Sequence, residues 1–367
     1  MRTLVGRRLP LNMSYGVGVP RAIVLGGNGR VGSAAALNLV SAGWEVTSTG
    51  QAQRRFPQDL REAGVRFILS DRYAADDLHQ LLREGADVVV DCVGYTAEQA
   101  RLLLRFQQSI GSLVFISSKA VYIDDQGRHS NSDEPPAFAA PVTEVQPTMT
   151  PSDIDYNSRE GYGANKVAAE RVLLDSGMRV SVLRPSRIHG IGGARPREWV
   201  FVKRVLDGRR HLLLAEGGRG INHPTAAVNL AALVEFFAMN PGTRILNSAD
   251  PDAPDGRTIS RIIAAQLAHS WSEVLLDATA THGLGDHPWN TLPRLVLDTS
   301  AAERLGFVPV GSYAETVSAE VDWLVMAARS GDPAGVLPQP QDPFFLPFFD
   351  YAREDAWLDE RSRNEQG

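Results

Sequence analysis

Short apolar runs alternate with longer amphipathic stretches through the first half of the chain, and this alternation predicts its architecture. The run 22–25 (AIVL) ends in glycines and reads as a buried strand. Residues 31–42 are rich in Ala and Leu and stop at Gly43, a helix with a glycine terminator. Further strands are predicted over 45–49, 65–69, 87–91, 113–116 and 180–183, with a helix over 76–83. Strands separated by helices of about ten residues imply an α/β fold with a doubly wound parallel sheet covered on both faces. No fixed-period repeat is visible.

The second half is less regular. Helices are expected over 198–206, 227–237 and 258–269, and strands over 211–214 and 244–247. The chain is thus read as a nucleotide-binding domain over 21–185 and a smaller, mixed, substrate-binding cap over 186–330, which trades elements with the main sheet. Residues 1–20 form a leader in which Pro10, Asn12, Ser14 and Gly16 interrupt any export signal behind Arg2, Arg7 and Arg8, and Met13 offers a second start. Residues 331–367 are a linker and tail carrying Phe344, Phe345, Phe348, Phe349, Tyr351 and Trp357. So much apolar area is expected to dock on the protein's own surface rather than form a dimer contact or a lid.

Composition narrows the class. The 367 residues include 37 basic and 43 acidic side chains, a net charge of −6, which disfavours a general nucleic-acid binder. No apolar run reaches the ~20 residues of a membrane helix. The single cysteine, Cys92, excludes an internal disulfide and suits a reducing cytoplasm.

The first strand runs into Gly26-Gly-Asn28-Gly29-Arg30-Val31-Gly32, and a helix follows at once. Glycines there let the backbone turn sharply and approach a pyrophosphate, while the helix N-terminus supplies amide donors. This predicts a Rossmann-type domain holding a nicotinamide dinucleotide. Cys92, Val93 and Gly94 after the fourth strand, and Pro185 after the sixth, are assigned to the same cofactor. The second strand ends in Thr49-Gly50-Gln51, without the carboxylate that would hold the ribose of NAD, and Arg54 and Arg55 follow. NADP is therefore preferred over NAD. Asp71 is expected near the adenine or as a cap of the next helix.

Tyr162 and Lys166 lie four apart, on one face if the segment is helical. A nearby ammonium would lower the phenol's pKa and let it exchange a proton with a carbinol or carbonyl oxygen while hydride moves to or from nicotinamide.

Together, Gly26–Gly32, the segment 117–122 (SSKAVY), Tyr162 with Lys166, the segment 183–190 (LRPSRIHG) and the segment 298–307 (DTSAAERLGF) resemble the extended short-chain dehydrogenase/reductase family, with its NAD-dependent epimerase/dehydratase members. The resemblance covers about residues 21–328. It implies that Ser118, rather than Ser117, orients the reacting oxygen, that Lys166 also binds the nicotinamide ribose, and that a homodimer is possible. Dehydratases and decarboxylases of that family carry acidic residues after the catalytic hydroxyl, where this chain has Lys119 and Ala120. Its sugar-nucleotide enzymes place an asparagine and an arginine on the substrate diphosphate, where this chain has Arg187 and Asn222. Lys119, Arg187, His189 and His223 are the candidate substrate contacts. The long interval from Ser118 to Tyr162 holds several acidic residues and reads as a solvated loop, or as an acidic lid suited to a cationic substrate. No metal site is expected, since His282 and His287 lack a third ligand at suitable spacing.

The expected activity is an NAD(P)-dependent reductase or dehydrogenase of a small organic metabolite. The alternatives are an NAD-dependent sugar or sugar-nucleotide epimerase and, from another class, a non-catalytic nucleotide sensor or scaffold.

Overall fold

A computed structural model describes residues 18–52, 56–139, 141–277, 283–332 and 335–364; most of the leader lies outside it. The strands are β1 (Arg21–Leu25), β2 (Glu45–Gly50), β3 (Arg66–Leu69), β4 (Ala86–Asp91), β5 (Ile110–Ile116), β6 (Val180–Pro185), β7 (Arg187–His189), β8 (His211–Leu214), β9 (Pro224–Ala226), β10 (Arg244–Ser248) and β11 (Ser272–Leu275). Seven of them form one parallel sheet in the order β10-β6-β5-β4-β1-β2-β3. Every predicted strand is present, with ends that differ by three residues at most. The order reverses between β1 and β4, which is where an open α/β sheet presents its binding crevice.

The helices are α1 (Arg30–Ser41), α2 (Gln58–Glu62), α3 (Ala75–Leu82), α4 (Ala97–Leu104), α5 (Arg159–Leu174), α6 (Trp199–Leu206), α7 (Ala227–Met239), α8 (Gly256–Gln266), α9 (Ser300–Arg304), α10 (Tyr313–Thr316), α11 (Ser318–Arg329) and α12 (Tyr351–Asn364). On one face of the sheet α1 and α7 pack together through Ala35, Leu39, Leu230, Leu233 and Phe237. On the other, α3, α4 and α5 bury Leu78, Leu103 and Leu173 against Val89, Phe115 and Val182. The exchange of elements expected in the cap thus runs through α7 and β10. Leu246 and its neighbours on β10 pair with β6 and extend the sheet by one strand.

The remainder packs around α6, α8 and α11, with Trp199, Phe201, Ile259, Val321 and Trp289 buried in one cluster. The aromatic tail docks there: Phe345 and Phe348 enter the same cluster, and Trp357 joins Leu213, Leu276 and Leu284. Arg204 on α6 anchors it, giving Nη1 and Nη2 to the Glu354 carboxylate at 2.9 and 2.5 Å and Nη2 to the Phe348 carbonyl at 2.7 Å.

His287 is buried here with neither ring nitrogen hydrogen-bonded. Burial pulls its pKa down to about 4. The unfolded chain therefore binds a proton that the folded state refuses between about pH 6.5 and 4, so stability falls as pH falls through that window. His287→Leu should shrink the stability lost between pH 7.5 and 4.5, read by urea denaturation, by about 2 to 3 kcal/mol.

Candidate active site

At the C-terminal end of β1 the chain turns through Gly26, whose φ of +81° suits glycine. Gly32 sits so close to the turn that a side chain would strike the Gly26 carbonyl and, at 2.7 Å, the Gly27 Cα. Helix α1 begins behind Gly29 with no side-chain cap and no acidic residue in its first turn. Its first amides and positive dipole end are left to a ligand. Asn28 gives its Nδ2 to the Ala52 carbonyl at 3.0 Å, while its Oδ1 is buried without a partner. The loop is therefore a cradle with room and donors for a pyrophosphate, and its residues fit a dinucleotide.

A cleft of roughly 1390 Å³ opens beside it. Gly26, Gly29, Arg30, Val31 and Gly32 form one wall, and Cys92, Val93 and Pro185 continue it from the ends of β4 and β6. The Cys92 thiol is held protonated, pushed up by burial and by Asp91. Ser118 and Tyr162 face the same cleft. Ser118 caps the short turn after β5, its Oγ accepting from the Ala120 amide at 3.1 Å. The Tyr162 phenol is raised above its usual pKa by burial, against a lowering hydrogen bond with Ser118.

That rise reverses the expectation for Lys166. Its ammonium lies behind the cleft, where it donates to the Gly94 and Ile116 carbonyls at 2.7 and 2.9 Å and stands 4.6 Å from the Tyr95 ring centre. Burial pulls Lys166 itself down to about 8, with Asp91 and Glu170 opposing. Its contacts tie α5 to the ends of β4 and β5, and it does not lower the phenol in this state. Ser117, one residue before Ser118, also borders the cleft but gives its hydroxyl to Glu170. Sequence reading missed Tyr95 and Tyr156, which stack at 5.2 Å beside Tyr162 and line the cleft.

A smaller pocket of about 370 Å³ continues from the glycine loop between β2 and β3, lined by Gln51, Ala52, Ser70, Arg72 and Tyr73. Asp71 stands at its edge, where its Oδ1 accepts from the Tyr73 amide at 2.9 Å and from Gln51 at 3.4 Å, holding the turn before α3. Arg72 pairs with the buried Asp91 at 2.5 Å and leaves its Nη1 without a partner. Arg54 and Arg55 lie outside the described residues.

Lys119, Arg187, Arg195 and Arg197 also line the cleft, with Asn222 and, from the tail, Phe344. Phe344 lies 5.5 and 5.8 Å from the Arg195 and Arg197 guanidinium centres. His189 and His223 are not in the cleft wall, which corrects their assignment to substrate. His189 shares Nε2 with Asp250 at 2.8 Å; burial disfavours its charge, but Asp250 more than offsets this and raises its pKa. His223 accepts the Leu297 amide at Nδ1, so its Nε2 carries the proton and donates to the Asp250 and Asp252 carbonyls. Both histidines fasten β7 and β9 to the loop after β10.

His189, Glu198 and Glu320 lie within 4.8 Å of one another. His189 is engaged with Asp250, both Glu320 oxygens accept, from Arg30 and the Gly190 amide, and one Glu198 oxygen accepts from Tyr313. His282 lies outside the described residues.

The segment between Ser118 and α5 gives the cleft Ser130, Asn131, Ser132 and Asn157, with Arg159. Its acidic side chains do not line the cleft. Asp153, Asp155 and Glu160 are exposed, and Asp133 pairs with Arg159. The charge facing a substrate is positive, which removes the basis for a lid that selects cations.

This fold and this cleft define a dinucleotide-binding enzyme of the extended short-chain dehydrogenase/reductase type. The chain belongs to the NAD dependent epimerase/dehydratase family, whose profile matches residues 22–219. No curated protein matches the sequence. Among solved structures it is similar to dTDP-glucose 4,6-dehydratase from Bacillus anthracis in complex with NAD, at 13% identity and a TM-score of 0.64, covering 85% of this chain and 98% of that one. It is similar to UDP-glucose 4-epimerase from Thermotoga maritima with UDP-glucose, at 14% identity and a TM-score of 0.64, covering 84% and 99%. The Thermus thermophilus UDP-glucose 4-epimerase complex with NAD aligns at 20% identity and a TM-score of 0.59, covering 82% and 98%.

Proposed function

We propose that this protein is an NAD-dependent epimerase that oxidises a hydroxyl-bearing carbon of its substrate and reduces it again within the same cleft. The observation that carries the reading is the pairing of Ser118 and Tyr162 on a wide cleft beside the glycine loop, with Lys119 and Ala120 where a dehydratase would need carboxylates. Family membership and the fold likeness to NAD-bound epimerases support it.

NAD bound in this cleft would supply the hydride acceptor and donor. Glycines 26, 29 and 32 and the N-terminus of α1 would hold the pyrophosphate. The small pocket with Gln51, Arg72 and Tyr73 would take the adenosine end. Ser118 orients the reacting oxygen with its hydroxyl. Tyr162 exchanges the proton at that oxygen, through its phenol group. Lys166 fixes α5 through the Gly94 and Ile116 carbonyls, and a ribose contact would need its ammonium to turn toward the cleft.

One observation favours a second reading, a dissociable ketone reductase. Burial raises the Tyr162 phenol's pKa, which favours the protonated form that donates to a carbonyl. The NADP preference read from Arg54 and Arg55 goes with this alternative. Denaturing protein purified without added nucleotide and identifying what is released by mass spectrometry separates the two. Near-stoichiometric NAD is the epimerase result. An empty protein that then binds NADPH more tightly than NADH is the reductase result and overturns the first reading.

A further inference from the structure

Lys119, Arg187 and Arg197 come from three separate segments, yet they converge on the cleft wall beside Ser118 and Tyr162. Lys119 is 8% exposed, and its ammonium donates to the neutral Asn222 amide oxygen rather than to a carboxylate. Among the described residues, the Arg187 side chain has no hydrogen bond or ion pair, its backbone amide alone donating to the His223 carbonyl, and Arg197 keeps a buried Nε without a partner. Burial disfavours the charge of all three; Arg187 and Arg197 add to this at Lys119, Arg197 at Arg187, and Arg30 and Arg195 at Arg197, while Glu198 opposes it at both arginines and Glu320 at Arg197. A desolvated cluster of like charge is costly unless an anion completes it. The Phe344 ring lies 5.8 Å from the Arg197 guanidinium centre, within cation–π range.

We propose that the substrate bears a small oxyanion, a carboxylate or a phosphate, close to its reacting carbon, and that Lys119, Arg187 and Arg197 form the site that holds it. Lys119 follows Ser118 directly in the chain, so the anion belongs beside the oxygen that Ser118 orients, not at the far end of a nucleotide. The Arg187 fork suits two oxygens of one such group. Asn222 holds the Lys119 amine in place. Only the position of the reacting carbon rests on the function proposed above; the anion site itself does not.

The test is calorimetric titration of the purified full-length protein, saturated with NAD, with malonate, with inorganic phosphate and with UDP at low ionic strength. Malonate or phosphate should bind saturably, and Lys119→Met and Arg187→Met should each weaken that binding at least tenfold. Whichever probe binds identifies the group. No binding of either small anion, or binding unchanged in both variants, overturns the proposal. So does UDP binding that depends on Arg187 and ignores Lys119, because the cluster would then serve a nucleotide diphosphate. Far-ultraviolet circular dichroism checks that each variant is folded. Measuring NAD content in the same samples keeps failure of the anion site distinct from failure of the epimerase reading.

Discussion

Tyr162→Phe should fold, keep its nucleotide and lose turnover by a factor of about 10² to 10⁴, the usual contribution of a positioned proton-transfer group. The substitution removes one oxygen from a half-buried ring and leaves the packing beside Tyr95 and Tyr156 in place. Ser118 remains but has no second hydroxyl with which to complete the proton path. Turnover is measured by nicotinamide absorbance or product chirality, on a substrate found by screening hydroxy acids and keto acids. Unchanged turnover would remove Tyr162 from the chemistry. A nucleotide sensor or scaffold would show no effect of the variant on any readout.

Glu170→Ala should destabilise the fold by about 3 to 5 kcal/mol, the cost of leaving one partner of a buried ion pair behind. Glu170 is 2% exposed and accepts from Arg184 through Nε at 3.1 Å and Nη2 at 2.5 Å, and from the Ser117 hydroxyl. It sits two turns beyond Tyr162 on α5, so it fixes the catalytic helix against β5 and β6. Adding Arg184→Met should restore most of the loss, because no charge is then stranded. Urea denaturation of the two single variants and the double variant completes the cycle. If Glu170→Ala costs less than 1 kcal/mol, the pair does not anchor α5.

The sheet was legible because its strands are buried on both faces and read as uninterrupted apolar runs such as Val88-Val89-Val90. The glycine loop was legible because three glycines, a strand and a helix coincide within a few residues. Pairing partners were not. The short segment Arg244–Ser248 does not say that it will lie against β6, about sixty residues earlier, because sheet order is settled by packing.

Electrostatics were the least legible. Tyr162 and Lys166 do share α5, but the ammonium meets the Gly94 and Ile116 carbonyls, contacts made by folding and not by spacing. The same applies to His189 and His223, both tied to Asp250 or its backbone. Glu170 did carry a sequence signal: it continues the spacing of four from Tyr162 and Lys166 on one helix face. The cation cluster had only part of one, because Arg197 lies 78 residues beyond Lys119 along the chain.

The most direct test of the central claim is a crystal structure of the protein with NAD. The account predicts the pyrophosphate on Gly26–Gly32, the adenosine beside Gln51 and Tyr73, and the nicotinamide in the large cleft facing Ser118 and Tyr162. NAD bound elsewhere, or a nicotinamide turned away from Tyr162, would contradict it.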